Sequence, residues 1–458
     1  MRREMPLLLV VVGLLLAGCR TGRGPTTPAE VGLNTRDLVD PVAQKESEDL
    51  NPPDQLAVMA ERLRNERKQK LGEQAKNEGG IATRRPDRNI LCLSGGGSFG
   101  AYTAGVLNGW TERGDRPQFD VVTGISTGAL IAPFAFLGPE YDDHLKQLYT
   151  AVESRDLYVL RPIRALLGEA FTDNSRMAAR VDAAISPAVT AAIAAAHCSG
   201  RRLYVGTTEE EGKQFVTWDV GAIAARNAPG DRELIVKVLL GSSAPPGFFP
   251  AAKIGVTVDG VCHVERHVDG GVMASLFFRP PYVPPEERSD VAARDLAGAN
   301  VYVIVAGKLY ADPEVIRPWS LSQASKSVST LIYAQTRGDL QRLYTVCLLT
   351  GMDYYVTAIP PGYPAPTSST EFKRDVMVSM YEEGKRVVKS ATPWRTLPPG
   401  VGPGEITLAR AGTVLTQQQR GPAQPVHPAP SLLRPRPPVS DRGAIPVPAL
   451  PFDTVPVK

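Results

Sequence analysis

The sequence predicts an α/β protein built on a largely parallel central sheet. Three observations carry this. Between about Pro86 and Gly307 short apolar runs alternate with longer helical stretches, the pattern of strands joined by crossover helices. Several of those helical stretches are rich in Ala and bounded by Gly or Pro, which start and stop helices. Hydrophobic residues are 43% and charged residues 22% of the 458, so the bulk of the chain should fold, and neither wholesale disorder nor a polytopic membrane protein fits.

The chain opens with Met1-Arg2-Arg3, an apolar stretch from Pro6 to Ala17, then Gly18-Cys19: a positive start, a greasy middle and a small-residue exit. The apolar stretch is too short for a permanent span, which needs about 20 residues in a helix. Residues 1–18 are therefore expected to be a cleaved secretory signal. The segment Leu16-Ala17-Gly18-Cys19 resembles the lipobox of bacterial lipoproteins, which implies Cys19 as a lipid anchor in the cell envelope. Arg20 follows it, not the Asp that resembles an inner-membrane retention signal, so the outer membrane is the expected destination.

Residues 19–85 are polar and read as a tether with a charged, helix-like spacer from Gln55 to Asn77. The strand-like runs follow: Ile90 to Leu93, Phe119 to Val122, Arg202 to Thr207, Phe215 to Trp218, Thr257 to His267 and Asn300 to Val305. Between them lie helical stretches at Ala101 to Trp110, Gly128 to Leu137, Asp142 to Glu153, Ser175 to Ala196 and Arg232 to Leu240. Together they define a domain over 86–310. Ser320 to Asp353 and Glu371 to Ser390 read as a helical extension within 311–395. From 396 to 458 prolines are many and aromatics few, so this tail cannot bury enough apolar surface to order itself.

Lys plus Arg is 51 against 48 for Asp plus Glu, a net +3 that offers no basic field for nucleic acid. Cys92, Cys198, Cys262 and Cys347 show no paired metal-ligand spacing, the His residues are scattered, and neither a metal nor a cofactor is called for. Those four are expected as buried thiols, with Cys198 to Cys262 the one bridge considered.

Three local patterns carry the chemistry, each after a strand-like run. Gly124-Ile125-Ser126-Thr127-Gly128 stands between a strand and a helix, the setting of a nucleophile elbow, in which two glycines let the backbone bend and expose the Ser126 hydroxyl. Gly95-Gly96-Gly97-Ser98-Phe99-Gly100 sits between a strand and a helix N-terminus, where backbone N–H groups welcome an anion. It matches a dinucleotide fingerprint literally, with Asp115 or Asp120 as the acidic partner, and equally suits an oxyanion hole. The strand at Phe119 runs straight into the serine elbow, which makes acyl chemistry the better fit. A serine needs a base. No His precedes Ser126, and His427 alone follows Asp269, so a Ser-His-Asp triad of usual order is disfavoured. Asp269-Gly270-Gly271, at a strand end, supplies a carboxylate that can act directly. His263 and His267 could orient Asp269 or simply pack.

Jointly the three patterns resemble the patatin-like phospholipase family over roughly Ile90 to Ala274, and Ser242-Ser243-Ala244-Pro245-Pro246-Gly247-Phe248-Phe249-Pro250 is similar to that family's segment lining the site. The resemblance implies a three-layer α/β/α fold and a lipid acyl ester as substrate. It also implies Ser126 as nucleophile, Asp269 as proton acceptor, and an oxyanion hole from Gly95, Gly96 and Gly97, with Gly95 shaping the loop. Gly100, Gly124, Gly128, Gly270 and Gly271 complete its motifs. The chain departs from the family at Phe99, where Arg or Lys is common. Two other classes stand beside this reading: a non-catalytic envelope scaffold that keeps the fold, and a nucleotide-binding protein using Gly95 to Gly100.

Overall fold

The computed structural model describes residues 88–161, 168–258, 260–278, 298–310, 320–366 and 368–401, with a few positions between 61 and 73. The expected signal, Cys19, the tether and nearly all of the Pro-rich tail lie outside the described residues. Within the charged spacer, Arg62 and Glu66 pair one helical turn apart at 2.7 Å.

The domain opens with β1 (Asn89–Leu93), α1 (Gly100–Arg113), β2 (Val121–Ile125) and α2 (Thr127–Leu137). Next come α3 (Asp142–Thr150), α4 (Ser154–Leu157) and a small antiparallel pair, β3 (Val159–Leu160) with β4 (Thr172–Asp173). Then follow α5 (Ser175–Ala184), α6 (Pro187–Cys198), β5 (Arg202–Glu209), β6 (Gln214–Asp219), α7 (Val220–Arg226) and α8 (Asp231–Ser242). The chain continues through β7 (Ala252–Val258), β8 (Val261–Asp269), β9 (Asn300–Lys308), α9 (Ser320–Thr350), β10 (Asp353–Ile359) and α10 (Arg374–Val388).

The central sheet runs β10-β9-β1-β2-β5-β8-β7, with β6 also on β5. The five strands from β10 to β5 are mutually parallel, β6 and β8 run antiparallel to β5, and β7 runs antiparallel to β8. The parallel part is buried on both faces, which is why Ile90 to Leu93 and Val121 to Ile125 read as continuous apolar runs. Alternation along each strand sends neighbours to opposite faces. Leu91, Leu93, Val122 and Leu203 join the core under α1, α2 and α8, whereas Ile90, Cys92, Val121 and Tyr204 join the core under α9. Helices on both faces make three layers, as the sequence led us to expect.

Four local expectations are corrected. Ser175 to Ala196 is two helices, because Pro187 lacks the N–H a continuous helix needs and Ser186 caps a new one by accepting from Val189 N at 3.3 Å. Thr257 to His267 is not one strand but the end of β7, a tight turn and most of β8, with Gly260 in the left-handed region at φ +80° between the two. Asp353–Ile359 is a strand on the edge of the main sheet, so 311–395 is no purely helical appendage but a strand with a helix on each side. The described cysteines are all free, with Cys92 and Cys347 buried but Cys198 and Cys262 exposed, so no bridge joins the last two.

That extension is welded to the first half of the domain. α10 crosses α1 backbone to backbone: a Cβ on Gly105 would collide with the Tyr381 carbonyl, and one on Gly384 with the Tyr102 carbonyl. The Tyr102 hydroxyl donates to Ala358 O at 2.7 Å, and Trp110 packs on Trp394 with ring centroids 4.7 Å apart. Helix propensity alone favours Ala over Gly by about 1 kcal/mol. Gly384→Ala should nevertheless destabilise the protein by about 3 kcal/mol, because the helices must separate. Gly338→Ala in α9, where a Cβ meets nothing within 4 Å, should stabilise it. Urea unfolding of the two variants checks both signs.

Candidate functional site

The site is made where three strands meet. A strand has two edges, and β6 occupies one edge of β5 opposite Tyr204–Glu209. β2, paired with Arg202–Gly206, and β8, paired with Thr207–Glu209, therefore share the other edge end to end. β2 arrives parallel and stops where Ile125 faces Gly206. β8 arrives antiparallel and stops where Asp269 faces Thr207. The next residue after Ile125 is Ser126, so its side chain meets the carboxylate of Asp269 across the gap, with Ser126 Oγ donating to Asp269 Oδ2 at 2.6 Å. Ser126 and Asp269, 143 positions apart in sequence, are brought together as expected.

Each half of the pair is held by its backbone. Ser126 has φ +55° and ψ −125°, outside the comfortable regions for an L-residue, a local strain of the kind that collects at functional turns. Its N–H donates to Ser242 Oγ at 3.1 Å, Ser242 Oγ donates to Gly206 O at 2.6 Å, and Ser243 Oγ donates to Ser126 O at 3.0 Å. Gly124 and Gly128 are where the elbow folds on itself: a Cβ on the first would strike the carbonyl of the second, and one on Gly128 would strike Leu93 O. On the other side, the Asp269 N–H donates to Ala244 O at 2.9 Å and Gly271 N–H donates to Asp269 Oδ1 at 2.7 Å. Gly270 lies against the Gly206 carbonyl with no room for a side chain.

Burial sets the charge. Asp269 is 6% exposed, and loss of hydration pushes its carboxyl up from 3.8 to about 6, against the opposing hydrogen bonds from Ser126 and Gly271. It is a stronger base than an ordinary aspartate and still ionised at neutral pH. No histidine among the described residues bonds to either member. His267, fully buried two positions before Asp269, contacts Thr207 Oγ1 through Nδ1 and Glu265 through Nε2, each at 3.0 Å, and Trp218 packs on its ring. It packs and does not orient the carboxylate. His263 is exposed.

The glycine turn stands directly beside Ser126, since a Cβ on Gly95 would lie 3.1 Å from Ser126 Cβ. Its amides are not equivalent. Gly95 N–H is committed to Ser275 O at 3.1 Å and Ser98 N–H to Ser369 O at 2.7 Å, while among the described residues the amides of Gly96 and Gly97 have no acceptor. Gly95 thus shapes the turn, and Gly96 and Gly97 carry the free donors. Only glycine fits at either place, because Gly96 abuts the Ala306 carbonyl, and Gly97 abuts the Ser369 carbonyl with φ +55°. Gly100 lets α1 begin against Thr127 and Tyr149. Phe99 packs on the core, so no cation stands at that point of the loop.

A pocket with an empty volume of about 960 Å³, part of it open to solvent, has Ser126 and Gly97 in its wall. Leu130, Phe134, Met177, Leu239 and Phe249 give it an apolar interior. The segment Ser242 to Pro250 lines it, as the resemblance implied, through Ser243, Pro245, Phe248 and Phe249. Sequence reasoning missed Ser369, Thr370 and Phe372, which form another part of the wall, and Asp339, whose carboxylate accepts from Ser275 N at 2.8 Å and so steadies the partner of Gly95. Nothing in the local sequence signals them. The dinucleotide reading loses its acid: Asp120 accepts from Asn89 N at 2.8 Å at the start of β2, the end of the strand away from Ser126, and Asp115 pairs with Arg113 at 2.6 Å.

Comparison with known proteins finds a family match for part of the chain. Residues 91–282 match the family described as patatin-like phospholipase. A patatin-like phospholipase domain-containing protein of Coccidioides immitis is 32% identical over 139 residues, 29% of this chain and 17% of that protein. One of Emericella nidulans is 44% identical over 61 residues, 13% of this chain and 8% of that one. The chain thus spans under a fifth of the length of these curated relatives. Among solved structures, VipD from Legionella pneumophila aligns at 13% identity and a TM-score of 0.28 over 66% of this chain and 67% of its own, too loosely to bear on the site. Residues 91–282 of this chain are a domain of the patatin-like phospholipase family.

Proposed function

We propose that the protein is a serine acyl hydrolase that cleaves acyl esters of lipids through Ser126 and Asp269. The observation that carries this is the 2.6 Å hydrogen bond from Ser126 to a buried carboxylate whose basicity is raised. Asp269 takes the hydroxyl proton as Ser126 Oγ attacks the acyl carbonyl, and the free amides of Gly96 and Gly97 receive the oxyanion. The protonated Asp269 then delivers that proton to the leaving alcohol, and afterwards draws one from the water that hydrolyses the acyl-enzyme. The acyl chain lies in the apolar pocket beside Ser126. The N-terminal pattern ending in Gly18-Cys19 supports a lipid anchor in the bacterial outer membrane, which would hold the site near its substrate layer.

Ser126→Ala should fold normally yet lose at least about 10⁴-fold in turnover of a lipid acyl ester, and should no longer be labelled by a fluorophosphonate probe. A variant hydrolysing at the parental rate would remove the proposal, and absence of labelling in the parent would favour a scaffold. The pH dependence follows from the raised carboxyl. A base must be unprotonated in free enzyme, so kcat/KM should fall tenfold per unit below about pH 6 and stay level above it. A limb near pH 4 would mean that another group serves. The same shift bears on stability: a carboxyl raised in the folded state favours folding below 3.8, and that contribution is lost as pH rises through about 6. Asp269→Asn should therefore raise stability relative to the parent by about 2.5 kcal/mol more at pH 8 than at pH 4, measured by thermal melts. For the anchor, the intact mass of the mature protein should show acyl groups that Cys19→Ser removes.

A further inference from the structure

Asp339 lies on the buried side of α9, in line with Leu343 and Cys347, where an apolar residue would ordinarily stand. It does not line the pocket. Burial pushes its carboxyl above the usual aspartate range. Arg342 offsets this only weakly, because its Nη1 stands 3.7 Å away and its side chain is mostly in solvent. What the carboxylate holds is two consecutive backbone amides: Ser275 N–H donates to Oδ2 at 2.8 Å, and Leu276 N–H donates to the same group. Leu276 N and Ser275 O belong to one peptide unit, and Ser275 O accepts from Gly95 N–H at 3.1 Å. The charge therefore pulls on the N–H end of the dipole whose C=O end holds the glycine turn, and hydrogen bonds in such a chain strengthen one another. The same strip of backbone begins at the base. Met273 N–H and Ala274 N–H fold back on Gly270 O at 3.0 and 2.9 Å, so a short closed turn links Asp269 to Ser275.

We propose that Asp339 is a positioning residue for acyl transfer: by fixing the Ser275–Leu276 peptide it sets where the amides of Gly96 and Gly97 point relative to Ser126. This rests on the acyl hydrolase reading and adds to it a residue that never meets substrate. The two amides have no acceptor of their own among the described residues, so their aim is inherited from the bonds on either side of them. Ser98 N–H is held by the Ser369 carbonyl at 2.7 Å, and Gly95 N–H by a carbonyl with a buried charge behind it. A displacement of about 1 Å at such donors costs on the order of 100-fold in rate. Ground-state binding depends instead on the apolar pocket, which Asp339 does not reach.

Kinetics of the full-length protein on 4-nitrophenyl butyrate test this, together with inhibition by an alkyl trifluoromethyl ketone and by the methyl ketone of equal chain length. The fluorinated ketone reports on the donors: Ser126 Oγ adds to its carbonyl carbon, the hydroxyl proton passes to Asp269, and the carbonyl oxygen becomes an oxyanion. Asp339→Asn should lower kcat by about tenfold or more and leave KM within about twofold. Its inhibition constant for the trifluoromethyl ketone should rise by the same factor as kcat/KM falls, with that for the methyl ketone unchanged. Asp339→Ala should lose more, since the Asn side-chain oxygen can still accept one N–H. Leu343→Ala, one turn further along the same side of α9, should lower Tm by emptying core volume and keep the parental kcat. A parental kcat in Asp339→Asn, a loss carried by KM, equal weakening of both ketones, or an equal loss of kcat in Leu343→Ala would each overturn the assignment. So would an Asp339→Asn protein that does not fold, since the carboxylate would then hold the domain and not the turn. Failure of the hydrolase reading appears separately, as a parent protein inert toward the ester and unlabelled by a fluorophosphonate.

Discussion

The structure turns on one edge of β5, where two strands that approach from opposite directions end against each other. The parallel β2 and the antiparallel β8 cannot both continue along the same row of backbone groups, so each stops at the Gly206–Thr207 junction. That collision places the last residues of both strands face to face and leaves their side chains in hydrogen-bond contact. Everything chemical follows from it. A carboxylate reached in this way sits inside the sheet layer, where hydration is lost and its proton affinity rises. The protein accepts a buried negative charge that an outward-facing aspartate would avoid, and gains a base next to a hydroxyl with no histidine between them.

Around that contact the backbone has to come closer than side chains allow. In the glycine turn, the elbow and the Asp-Gly-Gly end of β8, the α-carbons of Gly96, Gly128 and Gly270 press onto the carbonyls of Ala306, Leu93 and Gly206. These approaches are collectively what brings three loops within one hydrogen bond of each other. They also separate the roles in the glycine turn. Ser275 and Ser369 take up the amides of Gly95 and Ser98, which fixes the turn and leaves the two central amides without an acceptor among the described residues. Both acceptors lie far downstream in the chain. The segment from β9 to α10 is therefore part of the site: Asp339 steadies Ser275, and Ser369 to Phe372 close a wall of the pocket.

Local pattern was enough to find most of this. Apolar runs followed by Gly-x-Ser-x-Gly and by Asp-Gly-Gly singled out Ser126 and Asp269, which the fold brings into contact, because a sharp turn and a close backbone approach both demand glycine nearby. The absence of a suitably ordered histidine pointed to direct action by the carboxylate, and His267 indeed spends both ring nitrogens on Thr207 and Glu265. Period and composition were less reliable at element boundaries. Ser175 to Cys198 has helical character throughout, and a single proline decides that it is two helices. Asp353 to Ile359 is short, and only the open edge of β9 makes it a strand.

What the sequence by itself determined is the α/β class, the order of the motifs and the identities of the hydroxyl and the carboxylate, since each depends on neighbours within a few positions. Tertiary structure alone decided that the two groups touch, that Asp269 is desolvated, and that Gly95 is engaged while Gly96 and Gly97 have no acceptor among the described residues. The physical reason is the same for all of these. Hydration, hydrogen-bond partnership and distance are properties of groups brought together from remote parts of the chain, and no window of local sequence contains both partners.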